Sequence, residues 1–355
     1  MKVDFNHFKI SRLIRFGKHF LLMQNSVFSK RIFWKSLIPI LLANFGRKTP
    51  LNVTHMINFA CNLRCKYCGL PEVKIRELKT DQIKEAIEDF SKAGTVSWSF
   101  TGGEPLLRKD LGPLADFTKE CGINSVELNT NGLLYKYRRN ELDSVDKIFI
   151  SLDGPREIHE AMRGIGTYDK VVEAIDLTKD DGKQVSVISV LSEQNMKNDF
   201  EGLRKLFDFS IENEVKISFN VIYTHDFNKD FIQKYETEIG KNIQALKLII
   251  DFDKKTELLD RSSSLYIEAI KQLEGKKTKV KSFAGVLYCR LLPNGIVAPC
   301  LFNLNEGING TRFGFVKAFK MLNKKHTCNS NYSHDTNNDL LYSLNLNSIF
   351  KLISK

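Results

Sequence analysis

From residue 51 onward the chain alternates short β-rich runs with helical stretches, and this alternation limits the possible fold more than any other feature. Runs at 53–59, 96–100, 125–129, 147–152, 185–191 and 215–223 read as strands, and 80–92, 110–121, 134–142, 168–180 and 195–209 between them as helices. Strict strand-helix alternation predicts a parallel sheet with crossover helices, closed or partly closed into a barrel. Thr80-Asp81-Gln82 and Asp110 stand where helix caps belong, and Gly122 follows its helix as a stop. In such folds chemistry gathers at the carboxyl ends of the strands, so the segments after the strands are the place to look for a site.

Cys61-Asn62-Leu63-Arg64-Cys65-Lys66-Tyr67-Cys68 follows the first strand, and Thr101-Gly102-Gly103-Glu104 the second. Asn129-Thr130-Asn131-Gly132 follows the third and Ser151-Leu152-Asp153-Gly154 the fourth, so all four motifs fall on one rim. Three thiols in eight residues can wrap one small metal centre, and thiolates select zinc or iron-sulfur clusters. Adjacent Arg64 and Lys66 are expected to favour the thiolate form. The pattern alone leaves open a zinc knuckle, or a redox pair of Cys65 and Cys68 with Cys61 incidental. Zinc would need a fourth ligand, and the loop itself holds no further Cys, His or acid. Protein-held clusters commonly take four cysteines, so three would leave one iron open to another ligand.

With Gly102-Gly103-Glu104-Pro105 downstream, the Cys61-x3-Cys65-x2-Cys68 spacing resembles the radical S-adenosylmethionine (radical SAM) superfamily. The resemblance covers residues 51–222 with specific motifs and 283–335 with weaker ones. It implies a partial (β/α)6 TIM-type barrel, since six strands are too few for a full barrel of eight. It also implies an enzyme in which Cys61, Cys65 and Cys68 hold a 4Fe-4S cluster whose open iron binds the amino and carboxylate groups of SAM. A reductant such as ferredoxin or flavodoxin would supply one electron, and the resulting 5′-deoxyadenosyl radical would abstract hydrogen from a substrate.

The resemblance gives roles to further residues. Tyr67 would pack by the SAM adenine, with ordinary core packing as the alternative. Gly102 and Gly103 would let backbone approach the ligand, and Glu104 would offer an anion to the SAM ammonium. Asn129 and Asn131 suit ribose or substrate by their position at the third strand end, although Asn-Thr-Asn-Gly is also a good turn. Ser151 and Asp153 would contact SAM ribose or carboxylate, or else cap the loop through Asp153-Gly154-Pro155. Arg163 would pair with the SAM carboxylate, for which a guanidinium fork is suited, or stay solvated. Ser189 on the fifth strand would face the adenine.

Residues 223–282 read as a helical bridge, with helices at 228–249 and 259–273. A C-terminal region, 283–355, opens with a hairpin whose strands, 284–292 and 296–301, flank Pro293-Asn294-Gly295. A last helix is expected at 340–353. Cys289 and Cys300 on the hairpin resemble the start of the SPASM or twitch extensions, small domains that hold auxiliary clusters. With Cys328 they would hold a second 4Fe-4S cluster, although Asn331 stands where such domains place a further cysteine. His326, His334 or Asp335 would be the fourth ligand, or the fourth iron would stay open to hold substrate; a cluster-free version of that domain is the alternative.

The net charge of +11 is uneven: residues 1–50 carry ten Lys/Arg against one acid and supply +9. A uniformly basic nucleic-acid surface is therefore not indicated. This arm is expected to be helical, with Phe8, Ile10, Leu13, Ile14, Phe16, Phe20 and Leu21 interspersed with bases. Its longest uncharged run, 36–46, would span only ~16 Å as a helix, against roughly 30 Å of bilayer hydrocarbon. Two readings follow: a peripheral membrane anchor, or helices packed on the body or at a subunit interface. Seven cysteines, three of them in one short loop, and no evident signal peptide point to a reduced, cytoplasmic setting. The substrate is expected to be a peptide or protein, with a lipid-linked or other small molecule as the alternative. An iron-sulfur electron-relay or metal-binding protein that does not cleave SAM is the reading from another class.

Overall fold

Each of the six expected strands forms. β1 (Asn52–Asn58), β2 (Ser97–Gly102), β3 (Ser125–Thr130), β4 (Lys147–Ser151), β5 (Gln184–Leu191) and β6 (Lys216–Val221) pair parallel, each with the next. The computed structural model describes residues 27–221, 237–276, 280–323 and 334–343. Period-two alternation divides the strands into two faces. On β3, for example, Val126 and Leu128 are wholly buried in the apolar core, while Glu127 and Asn129 line an interior cavity.

The expected hairpin forms around Gly295 (φ +82°), with strands β7 (Tyr288–Leu291) and β8 (Ile296–Ala298). β7 lies parallel to β1 with Thr54 opposite Arg290, and the short β9 (Ile308–Asn309) pairs with β8. The order is β6-β5-β4-β3-β2-β1-β7-β8-β9, one open sheet. The C-terminal hairpin thus continues the sheet of the partial barrel. At the other edge, Leu259 forms a one-residue parallel bridge to Ile217 of β6 and so adds a position to the sheet beyond β6.

The helix Thr80–Lys92 buries Ile83, Ala86, Ile87 and Phe90, the i, i+3, i+4, i+7 stripe of an amphipathic helix. Leu111–Glu120 and Tyr168–Asp180 also lie where expected. The helix expected at 134–142 is shorter: Tyr135–Arg138 followed by a 3-10 turn, Arg139–Glu141. The helix expected at 195–209 runs over Glu193–Glu212, broken where Asn198, Asp199 and Phe200 take left-handed backbone (φ +49° to +63°). Its first turn is tied down by Asn195, which accepts from Ser192 N (2.9 Å) and donates to Asp153 O (2.5 Å). The helix Arg156–Arg163 was not anticipated.

The bridge helices are Ile239–Thr256 and Ser263–Leu273; the start expected at 228–236 lies outside the described residues. The last helix is His334–Tyr342, and residues 344–355 lie outside the described part. So does the amphipathic segment at 8–21. The second half of the arm forms the helix Val27–Ala43, which inserts Ile40 and Ala43 into an apolar cluster with Leu51, Phe283, Tyr288 and Tyr342. Packing on the body therefore holds for this half. Ile38, Leu41 and Phe45 stay exposed (65 %, 41 % and 86 %). No described helix is long and apolar enough to cross a membrane.

Candidate functional site

The cysteine loop leaves the end of β1 and is pinned from both sides. Lys66 N donates to Met162 O (3.0 Å), and Asn131 Nδ2 donates to Asn62 Oδ1 (2.7 Å). The glycines of the second motif have a packing role as well as a place beside the cavity. A Cβ on Gly102 would stand 2.2 Å from Asn58 O, and one on Gly103 2.3 Å from Ala60 O. Glycine is required there because the end of β2 packs against the chain entering the cysteine loop, with Gly103 N donating to Asn58 O and Glu104 N to Ala60 O.

Cys61, Cys65 and Cys68 then share a cavity of ≈ 160 Å³ with Tyr67, Arg163 and the Gly102-Gly103 backbone. Asn129 and Ser151 line it as well. Burial pushes all three thiols up, Cys65 to about 11, where Arg163 is the main opposing influence. The expected help from Arg64 and Lys66 is absent: both point to solvent, and Arg64 pairs with Glu72 (3.3 Å). The cation facing the thiols is Arg163, whose Nη1 lies 4.0 Å from Cys65 Sγ.

Asp153 does not line the cavity. It is fully buried and accepts four hydrogen bonds: from Tyr67 OH (2.6 Å), Arg163 Nε (2.7 Å), Arg163 Nη2 (3.1 Å) and Val190 N (3.0 Å). Burial alone would raise its pKa, but Arg163 and the remaining donors hold it below the ordinary aspartate range. Its lone pairs are spent inside the protein, so Asp153 orients Arg163 and Tyr67 in place of the SAM contact expected of it. Arg163 in turn spends two donors on Asp153 and keeps Nη1 on the cavity side.

Glu104 is likewise wholly buried, accepting from Leu106 N (3.0 Å), Thr130 Oγ1 (2.8 Å) and Asn131 N (2.8 Å). It joins the second rim loop to the third. Ser189 is displaced from its expected role by strand parity. Ile188 faces the cavity, so Ser189 lies with Val187 and Leu191 on the opposite face of β5, fully buried.

The donor set favours iron-sulfur over zinc. Among the described residues the cavity lining contains three thiols and no His, carboxylate or fourth Cys. A tetrahedral zinc site would lack a ligand, whereas a cluster with one open iron has its three sulfur donors, room beside them and a cation at Cys65.

Cys289 and Cys300 are buried in two different apolar clusters, Cys289 with Val53 and Phe319, Cys300 with Tyr288 and Phe283. Cys328, His326, His334 and Asp335 lie where no side chain is described.

Sequence reasoning missed Leu63, Thr101, Phe149 and Ile188 in the cavity wall. It also missed His159, whose Nδ1 accepts from Asp153 N (3.2 Å) and whose pKa burial lowers to about 4. Thr101, Phe149 and Ile188 lie on strands and carry no local signature; strand parity from the rim motifs was the signal that could have found them, and Leu63 lies inside the cysteine loop itself.

Comparisons with known proteins agree with this geometry. Residues 57–207 match the family model described as Radical SAM superfamily. The chain is 29% identical over 228 residues to Fe-coproporphyrin III synthase of Methanosarcina barkeri, covering 61% of this chain and 55% of that one. It is 32% identical over 163 residues to mycofactocin maturase MftC of Mycolicibacterium smegmatis, covering 43% and 41%. The chain thus spans about half the length of these curated relatives. The crystal structure of Streptococcus suis SuiB bound to precursor peptide SuiA superposes with a TM-score of 0.62 at 18% identity, over 79% of this chain and 67% of that one. At that identity the likeness establishes the fold alone.

Proposed function

We propose, from the match of residues 57–207 to the radical SAM superfamily model, that this chain is a radical SAM enzyme acting on a peptide or protein. When bound, a 4Fe-4S cluster and SAM supply one-electron cleavage, fed by a reductant such as ferredoxin or flavodoxin, to methionine and a hydrogen-abstracting 5′-deoxyadenosyl radical. The observation that carries the reading is the convergence of Cys61, Cys65, Cys68, Tyr67, Arg163 and the Gly102-Gly103 backbone on one cavity at the carboxyl ends of the strands.

In this reading the three cysteines hold the cluster, and the Gly102-Gly103 backbone lines the SAM site. Glu104 positions the third rim loop from behind, through Thr130 and Asn131. Asp153 locks Arg163 and Tyr67, so that the guanidinium and the ring meet the ligand without reorganisation. Asn129, held by Ser99 Oγ (2.9 Å), stands where SAM and substrate meet, since it lines both this cavity and the larger one beside it. Phe149 and Ile188 supply an apolar wall there that limits access of water.

A peptide or protein substrate is supported by the names of two similar proteins, a peptide-bound SuiB and a maturase. A porphyrin-type small molecule is the second reading, supported by the Methanosarcina relative. The test is anaerobic reconstitution, reduction with dithionite and assay of 5′-deoxyadenosine. Its formation is expected, and its absence from a sample with an intact cluster would overturn the enzyme reading in favour of an electron-relay protein.

A further inference from the structure

A second cavity, ≈ 240 Å³, occupies the interior of the sheet beside the thiol cavity; Thr101, Gly102, Asn129, Phe149 and Ile188 line both. It contains no thiol, and its charged lining residues are Arg261, Arg290 and Glu127. The two arginines enter from opposite flanks. Arg261 follows Leu259-Asp260, the segment that extends the sheet beyond β6, and Arg290 stands on β7, beyond β1. Both are 7% exposed.

Arg261 has the more telling surroundings. Its guanidinium donates from Nη1 to Asn220 Oδ1 (2.8 Å), a neutral amide that also lines the cavity. The nearest acid in sequence, Asp260, is spent elsewhere, on Lys147 and on Ser186 Oγ (2.8 Å). Among the described residues no carboxylate forms an ion pair with Arg261. A buried guanidinium without a counter-ion is costly unless something supplies the missing charge, and its fork geometry matches carboxylate and phosphate. Glu127 stands on β3, three strand positions from β7 and three from β6, and so puts the one acidic residue of the described lining midway between the two arginines. The cavity is therefore polarised, with a receptor for anions at its flanks.

We infer that Arg261, with Arg290 opposite, binds an anionic group of the substrate, a carboxylate or a phosphate, and so sets which part of the substrate lies against the cofactor cavity. The role as a substrate site rests on the function proposed above; the anion binding does not. A carboxylate is what an acidic side chain or C-terminus of a peptide would offer, and a phosphate what a small phosphorylated molecule would offer.

The test uses the full, cluster-loaded chain under anaerobic conditions. Binding of N-acetylglutamate and of inorganic phosphate is followed by calorimetry and by the shift of the unfolding midpoint, in wild type, Arg261→Gln and Arg261→Lys. At least one probe should bind wild type saturably, roughly thirty-fold more weakly after Arg261→Gln, with partial recovery in Arg261→Lys. Preference for N-acetylglutamate would assign a carboxylate, and preference for phosphate a phosphate. Arg290→Gln repeats the comparison from the other flank if Arg261→Gln loses its circular-dichroism spectrum. Equal binding by wild type and both glutamine variants, or saturable binding of neither probe, would overturn the inference. The same preparations are assayed for 5′-deoxyadenosine without substrate. Anion binding with no 5′-deoxyadenosine would sink the radical reading and leave the anion site, and the converse would sink the anion site alone.

Discussion

Replacing Asp153 with alanine tests the internal scaffold of the site. The carboxylate is fully buried and its partner Arg163 is 9% exposed at the side chain, so the substitution strands a guanidinium in the interior. Breaking a buried pair from one side costs ~3–5 kcal/mol. Tyr67 OH and Val190 N also lose their acceptor, and each such loss is worth about 1 kcal/mol, not additively. We expect Asp153→Ala to lower stability by roughly 4 kcal/mol at neutral pH.

The pH dependence has a definite sign. Asp153 is held below the ordinary value of 3.8 in the folded chain, so its stabilisation is complete above that value and is lost as pH falls through the lower folded pKa. The gap between wild type and variant should therefore be constant from pH 7 to 5 and narrow below about 4. Urea unfolding across that range measures it. A penalty under about 1 kcal/mol, or one that does not shrink in acid, would refute the ion-pair account. The variant should also retain less iron, because Arg163 and Tyr67 brace the cysteine loop.

Three other outcomes follow from the same geometry. Gly103→Ala places a Cβ 2.3 Å from Ala60 O; overpacking of this kind costs ~1–3 kcal/mol, and urea unfolding with iron analysis should show lower stability and lower cluster occupancy together. Because Cys289 and Cys300 lie in separate apolar clusters, anaerobic reconstitution should load about four iron and four sulfide per chain; about eight would restore the auxiliary cluster that the hairpin cysteines suggest. The membrane reading of the N-terminal arm predicts that Ile38→Glu, Leu41→Glu and Phe45→Glu together abolish flotation with anionic vesicles while changing stability by no more than about 0.5 kcal/mol per site, since all three are exposed. Unchanged flotation would dispose of that reading for the described part of the arm.

Much of this architecture is legible in the residues. The six parallel strands announce themselves as Val/Ile/Phe-rich runs, and the helices Thr80–Lys92 and Tyr168–Asp180 by strong periodicity. The three-thiol loop and the rim motifs follow from strand order. What stays hidden depends on contacts between distant segments. Asp153 reads as a ligand because the sequence displays its acid but not the four donors contributed by residues 67, 163 and 190.

The helix Arg156–Arg163 escapes notice because it is short and half charged, burying only His159 and Met162. Ser189 differs from the cavity residue beside it by one position, and parity decides the face. Arg261 and Arg290 are two among 53 Lys/Arg, and only the folded sheet sets them into one cavity.

The central claim is that Cys61, Cys65 and Cys68 hold a cluster with one iron open to SAM. Electron paramagnetic resonance of the dithionite-reduced, anaerobically reconstituted chain, with and without SAM, tests it most directly. The account predicts a 4Fe-4S signal whose g values change when SAM is added, and loss of that signal in Cys61→Ala, Cys65→Ala and Cys68→Ala. A signal that SAM leaves unchanged, or one that survives removal of the three thiols, would contradict it.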